Sequence, residues 1–195
     1  MSSQNRRLFI SAVVVVAVSI FGGWLWSRVD DGDRSGIVTL TPNNSLQDPT
    51  IGTNKPVTGK FFPDISLRSL TGDELSFSSL RGIPYVVNFW YSTCEPCKRE
   101  LPALVAASQK YGDKAPIIGV NPQDSESVAR EFATEYKATY TMLRDPNGDL
   151  LTSLGIGIFP MTIFVDAGGV IAYQHAGEIT AAEIDSAMTK YLAVK

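Results

Sequence analysis

A buried strand that runs straight into a two-cysteine helix start narrows the choice of folds more than any other feature. Residues 84–90 (Pro-Tyr-Val-Val-Asn-Phe-Trp) are almost continuously apolar and rich in β-branched and aromatic side chains, the pattern of a strand covered on both faces. After a short polar turn, Cys94-Glu95-Pro96-Cys97 opens a helical segment over residues 95–111. There Leu101, Leu104 and Val105 form one apolar stripe, and Gly112 is the stop. A strand that feeds a helix this way belongs to a parallel crossover, which demands a sheet with a helix packed on it. With 195 residues, 44% of them apolar, the chain can bury one core of ordinary size and is too apolar to be disordered.

The flanking segments fill in that sheet. Residues 65–70 and 75–77 alternate apolar and polar about the turn Thr71-Gly72-Asp73, a hairpin. Residues 116–120 predict a second buried strand, ending at Asn121-Pro122. Residues 125–136 predict a helix capped by Ser125, with Val128, Phe132 and Tyr136 on its inner face. A short strand at 140–143, the turn Asp145-Pro146-Asn147-Gly148 and a short helix ending at Leu154 come next. Residues 161–165 and 170–175 flank Asp166-Ala167-Gly168-Gly169 as a late hairpin, and Thr180 caps a closing helix to about residue 192. The order is hairpin, β-α-β-α, hairpin, helix. It predicts an α/β domain with a mixed central sheet and helices on both faces.

The two cysteines are the only ones in the chain. A cysteine at a helix amino terminus sits among unpaired N–H groups at the positive end of the dipole, which lowers its pKa and makes a nucleophilic thiolate. Pro96 suits the first turn, where its missing N–H costs nothing. Cys97, one turn deeper, is within reach of Cys94, so the pair can cycle between dithiol and disulfide. Three plainer roles compete. A structural disulfide across so short a loop removes little entropy from the unfolded chain. A zinc site wants about four ligands, against two cysteines and the single histidine, His175. Two inert cysteines are a poor fit to an oxidising compartment.

That compartment is read from the amino end. Residues 8–26 carry no charged side chain over 19 positions, a helix of roughly 28 Å and about the thickness of a bilayer core. Arg6 and Arg7 precede the run and Asp30, Asp31 and Asp33 follow it, so residues 1–7 are expected as a cytoplasmic stub with the remainder outside. A cleaved signal peptide would have a shorter apolar stretch and a small-x-small end, whereas this one ends Gly22-Gly23-Trp24-Leu25-Trp26-Ser27. The expectation is a transmembrane signal-anchor at 8–26 and a flexible linker at 27–56 without helical or strand periodicity. An extracytoplasmic domain then occupies 57–195.

The stretch Val86-Val87-Asn88-Phe89-Trp90-Tyr91-Ser92-Thr93-Cys94-Glu95-Pro96-Cys97-Lys98-Arg99-Glu100-Leu101-Pro102 resembles the active-site segment of thioredoxin-like proteins. It is most similar to the membrane-anchored TlpA/ResA type of thiol-disulfide oxidoreductase. Gly157-Ile158-Phe159-Pro160-Met161-Thr162-Ile163-Phe164-Val165-Asp166 resembles that family's cis-proline segment. The resemblance implies a thioredoxin fold with an amino-terminal β-hairpin extension. It further implies Cys94 as the attacking thiol, Cys97 as the resolving one and Pro160 as a cis-proline facing them. Pro102 matches the proline that kinks the active-site helix. Glu100 matches a glutamate that tunes the cysteine chemistry; the alternative is an ordinary surface glutamate. Asn88 stands where cytosolic thioredoxins carry a buried aspartate, which throws weight on Glu100. His175 reads as structural.

Net charge −3 argues against nucleic acid, and there is no phosphate-binding glycine loop or metal constellation. The resemblance implies no cofactor, protein thiols and disulfides as substrates, and a membrane electron donor of the thiol-transfer type. The expected activity is reduction of protein disulfides outside the cytoplasm, for example in cytochrome c maturation. A disulfide oxidase or isomerase is the alternative on the same scaffold. A thiol peroxidase would place a threonine three residues before its reactive cysteine, where this chain has Tyr91. A tethered binding module with an idle cysteine pair is the remaining reading.

Overall fold

The structure is a computed structural model that describes residues 54–194. The anchor expected at 8–26 and all but the end of the linker expected at 27–56 lie outside the described residues. Among the described residues no helix is long and apolar enough to cross a membrane.

Seven strands form one mixed sheet. They are β1 (Ser66–Ser69), β2 (Glu74–Ser76), β3 (Tyr85–Phe89), β4 (Ile117–Asn121), β5 (Thr141–Arg144), β6 (Met161–Val165) and β7 (Ile171–Ala176), in the order β2-β1-β5-β4-β3-β6-β7. Strands β3, β4 and β5 pair in parallel; β1 with β5, β3 with β6 and β6 with β7 pair antiparallel. Parallel pairing needs crossovers, and helices α1 (Glu95–Tyr111) and α2 (Glu126–Glu135) supply them. Helix α3 (Asp149–Leu154) joins β5 to β6, and α4 (Ala181–Tyr191) closes the chain. The mixed sheet and the extra amino-terminal hairpin match the architecture expected above. A 3-10 turn at Phe77–Leu80 was not anticipated.

Every residue of β3, β4 and β6 is buried, so side chains alternate between two cores. Val86 and Phe164 face one core, with Leu101 and Leu104 of α1, Phe132 of α2 and Ile184 of α4. Val87, Phe89, Ile163 and Val165 face the other, with Leu150 and Leu154 of α3 and the incoming Val57 and Phe62. Gly119 in β4 is required by close approach. A Cβ there would stand 2.3 Å from Met142 Sδ and 2.9 Å from Trp90 Nε1, so the indole lies directly over bare backbone.

Local chemistry sets the helix ends. Cys94 is the N-cap of α1, its Sγ accepting from Cys97 N–H at 3.3 Å, and Gly112 ends the helix at φ 50°. Ser125 caps α2, and Thr180 with Glu183 forms a capping box on α4. One expectation needs correction on α2. Val128 does not share the inner face with Phe132 but is 41% exposed, because the buried stripe runs through Ala129, Phe132 and Ala133.

Candidate active site

Strand β3 ends under the first turn of α1, and there Cys94 and Cys97 are joined as a disulfide with Cα atoms 5.2 Å apart. Both are buried, Cys97 more deeply at 1% exposure against 4% for Cys94. The approach loop is latched from the neighbouring strand. Asp124, just past β4, accepts from Ser92 N–H at 2.7 Å and from the Ser92 hydroxyl at 2.8 Å. Asn121 Nδ2 donates to the same carboxylate at 2.6 Å. Removing that carboxylate in Asp124→Ala leaves the Ser92 amide and Asn121 Nδ2 without their acceptor. The expected loss is about 1–3 kcal/mol, read from urea midpoints, with Ser92→Ala costing less because its backbone bond survives.

The Phe159–Pro160 peptide bond is cis, as expected. Pro160 directly precedes β6, whose Met161 pairs with Phe89 of β3, so the segment lies at the same end of the sheet as the disulfide. The Phe159 ring meets the Tyr91 ring edge-on at 5.2 Å, tying the two loops together. Next to them, Ile158 is exposed at 46%.

Behind the disulfide lies a small polar cluster. Glu100, one turn past Cys97 on α1 and therefore on the same face, is 1% exposed, which decides against a surface glutamate. Its Oε1 accepts from Asn88 Nδ2 at 2.7 Å and its Oε2 from the Ile179 N–H at 3.0 Å. Asn88 Nδ2 also reaches Thr162 Oγ1 of β6 at 3.0 Å. Burial pushes the Glu100 carboxyl up to about 7, although both hydrogen bonds oppose the rise. The cluster holds one carboxyl able to change charge near neutral pH.

At the rim, Glu95 is exposed and pairs with Lys98 at 2.7 Å, while Arg99 pairs with Glu178 at 2.7 Å. His175 bonds the Glu178 carbonyl at 3.0 Å and Tyr173 at 3.3 Å, a structural setting. Among the described residues no cluster of histidine, cysteine, aspartate or glutamate could hold a metal. A groove of about 710 Å³ lies elsewhere, lined by Leu70, Leu75, Ala133, Tyr140 and Met142. Thus Cys94, Cys97, Glu100 and Pro160 fall at one end of the sheet. Sequence reasoning missed Asp124 and Thr162. The turn Asn121-Pro122-Gln123-Asp124 was the available signal for Asp124, and for Thr162 it was its place two residues past Pro160 in the cis-proline segment.

This arrangement has clear relatives. The AhpC/TSA family model matches residues 58–174. A thioredoxin-like protein, YneN, of Bacillus subtilis is 33% identical over 65% of this chain and 76% of its own length. The thiol:disulfide interchange protein DsbE of Pseudomonas fluorescens is 36% identical over 62% of this chain and 67% of its own. The thiol-disulfide oxidoreductase ResA of Oceanobacillus iheyensis is 29% identical over 91% of this chain and 84% of its own. Among solved structures, the thioredoxin domain of a thiol-disulfide oxidoreductase from Bacteroides vulgatus superposes with a TM-score of 0.63 at 27% identity. It covers 71% of this chain and 99% of that one.

Proposed function

The chain belongs to the AhpC/TSA family and is a thiol-disulfide oxidoreductase of the DsbE and ResA type, and from that premise we propose that it works as a reductase of protein disulfides. The observation that carries the direction is electrostatic. The cysteine pair is buried, with Glu95 between its members and Glu100 one turn behind, while Lys98 and Arg99 are already paired with carboxylates. A thiolate at Cys94 then has the helix dipole but, among the described residues, no unpaired cation beside it. An oxidising pair is one whose reduced form is strongly stabilised as a thiolate; here the dipole and the Cys97 amide act on Cys94 against two nearby carboxylates, a weaker stabilisation that favours giving electrons away. The Tyr91 ring, engaged by Phe159, occupies the place a peroxidase would give to threonine.

The thiol-disulfide oxidoreductases it is related to support protein thiols and disulfides as its substrates. The anchor read at residues 8–26 supports a location on the outer face of the cell membrane, with the amino end inside. There a membrane donor of the thiol-transfer type would re-reduce the pair, and tethering would raise its effective concentration. Apocytochrome c is a substrate of this kind.

The reduction potential of the purified protein tests the direction. The expected value lies nearer about −270 mV, as in a thioredoxin, than about −120 mV, as in a strong oxidant; the latter would make the protein an oxidase.

A further inference from the structure

Asn54 makes three hydrogen bonds to one short loop. Its Oδ1 accepts from the backbone N–H groups of Gly157 and Ile158, both at 2.8 Å, and its Nδ2 donates to the Ile158 carbonyl at 2.8 Å. Two donors on one side and an acceptor on the other admit a single orientation of the amide. The next residue extends the clamp: Lys55 N–H donates to the Gly155 carbonyl at 3.0 Å. Gln174 of β7 holds the arm from the other side, its Oε1 taking the Val57 N–H at 2.6 Å and its Nε2 reaching the Lys55 carbonyl at 3.3 Å. The approach is so close that a Cβ on Gly155, itself at φ +64°, would stand 2.8 Å from Lys55 Cβ.

The clamped loop ends α3 and runs directly into Phe159 and Pro160. Among the described residues, the amides of Gly157 and Ile158 and the Ile158 carbonyl have no other hydrogen-bond partner. We propose that Asn54 is a positioning residue for disulfide exchange: it fixes the loop that presents Ile158, Phe159 and Pro160 at the end of the sheet where Cys94 lies, and so sets how a partner's chain seats on the site. Asn54 can matter in this way only if the sulfur pair exchanges with partner thiols, as proposed above. Its action falls on partner binding and not on the sulfur step, because it bonds the loop and touches neither cysteine.

The test uses the full chain, with Cys94 and Cys97 oxidised, reduced by two thiols in parallel. One is a ten-residue cysteine peptide and the other is dithiothreitol, which needs no seating on the loop. In Asn54→Ala the peptide concentration giving half-maximal rate is expected to rise about fivefold to tenfold, a lost hydrogen bond or two. The maximal rate and the dithiothreitol rate stay within about twofold of the parent. Asn54→Asp keeps the acceptor for both amides but sets a carboxylate oxygen against the Ile158 carbonyl, so it is expected to restore part of the peptide affinity. Exchange of the Gly157 and Ile158 amides with deuterium should quicken in Asn54→Ala and stay slow in Asn54→Asp. Equal losses with both thiols, no loss with either, or an Asn54→Asp as weak as Asn54→Ala would each overturn the role. A parent disulfide that neither thiol opens would remove the exchange reading and this one with it.

Discussion

Replacing Cys94 by serine is expected to abolish disulfide exchange, and replacing Cys97 by serine to stall it after the first step. In the proposed reductase direction, the Cys94 thiolate attacks one sulfur of a partner disulfide. A sulfur–sulfur bond forms to Cys94, and the partner's other sulfur leaves as a thiolate. Cys97, whose amide already bonds Cys94 Sγ at 3.3 Å, then attacks the Cys94 side of that mixed disulfide. The partner is released with both thiols, and the Cys94–Cys97 disulfide is restored. Cys94→Ser removes the attacking sulfur, and turnover should fall by more than about 10³-fold, as it does when other enzymes lose their nucleophile. Cys97→Ser keeps the attack and removes the release. Mixed disulfides of the protein with its partners should accumulate and disappear on treatment with excess dithiol. Capture through Cys97 in Cys94→Ser, with none in Cys97→Ser, would reverse the two roles. The assignment rests on position: Cys94 caps the helix where the amides converge, whereas Cys97 lies inside the first turn and is the more deeply covered.

The parts of the site that were legible in the sequence are those whose chemistry is local. The strand at 84–90 and the helix at 95–111 were readable because a continuous apolar run, a proline in the first turn and a closing glycine each leave a mark within a few residues. The late hairpin was readable for the same reason: Asp166 Oδ1 accepts from the amides of Gly168 and Val170, a turn written into four letters. What could not be read depends on partners distant along the chain. The placement of β1 beside β5 joins Arg68 to Arg144 and Ser69 to Leu143, and no periodicity in either strand names the other. The burial of Glu100 is decided by Asn88 on β3 and by the amide of Ile179, so helical position alone left two readings open. Asn54 looked like the end of a tether because its hydrogen bonds are made 103 and 104 residues away. Val128 was misplaced because α2 is short and its buried stripe narrow, where one position either way moves a residue from core to solvent.

Glu100 should make both the stability and the exchange rate of the protein depend on pH around neutrality. Its carboxyl titrates near 7 in the fold and near 4.5 as a free glutamate, because burial disfavours its charge more than the Asn88 and Ile179 hydrogen bonds favour it. The folded chain therefore holds the proton more tightly than the unfolded one. Between about pH 4.5 and 7 the native state binds more protons, so stability falls as pH rises through that window and is flat with respect to this group outside it. A tenfold difference in proton affinity is about 1.4 kcal/mol, so the whole loss from this group is on the order of 3 kcal/mol. Glu100→Gln removes the titration. It also faces an NH₂ group toward either Asn88 or the Ile179 amide, which costs roughly 1–3 kcal/mol at low pH. The expected result is that the variant is less stable than the parent at pH 4.5 and that the gap narrows or closes by pH 8, measured as urea midpoints at the two pH values. The same proton bears on the sulfurs. A carboxylate one turn behind Cys97 opposes a thiolate there, and a protonated carboxyl does not, so the exchange rate of the parent should bend near pH 7. If Glu100→Gln keeps that bend unchanged, the inflection belongs to another group and Glu100 is left with a structural role alone.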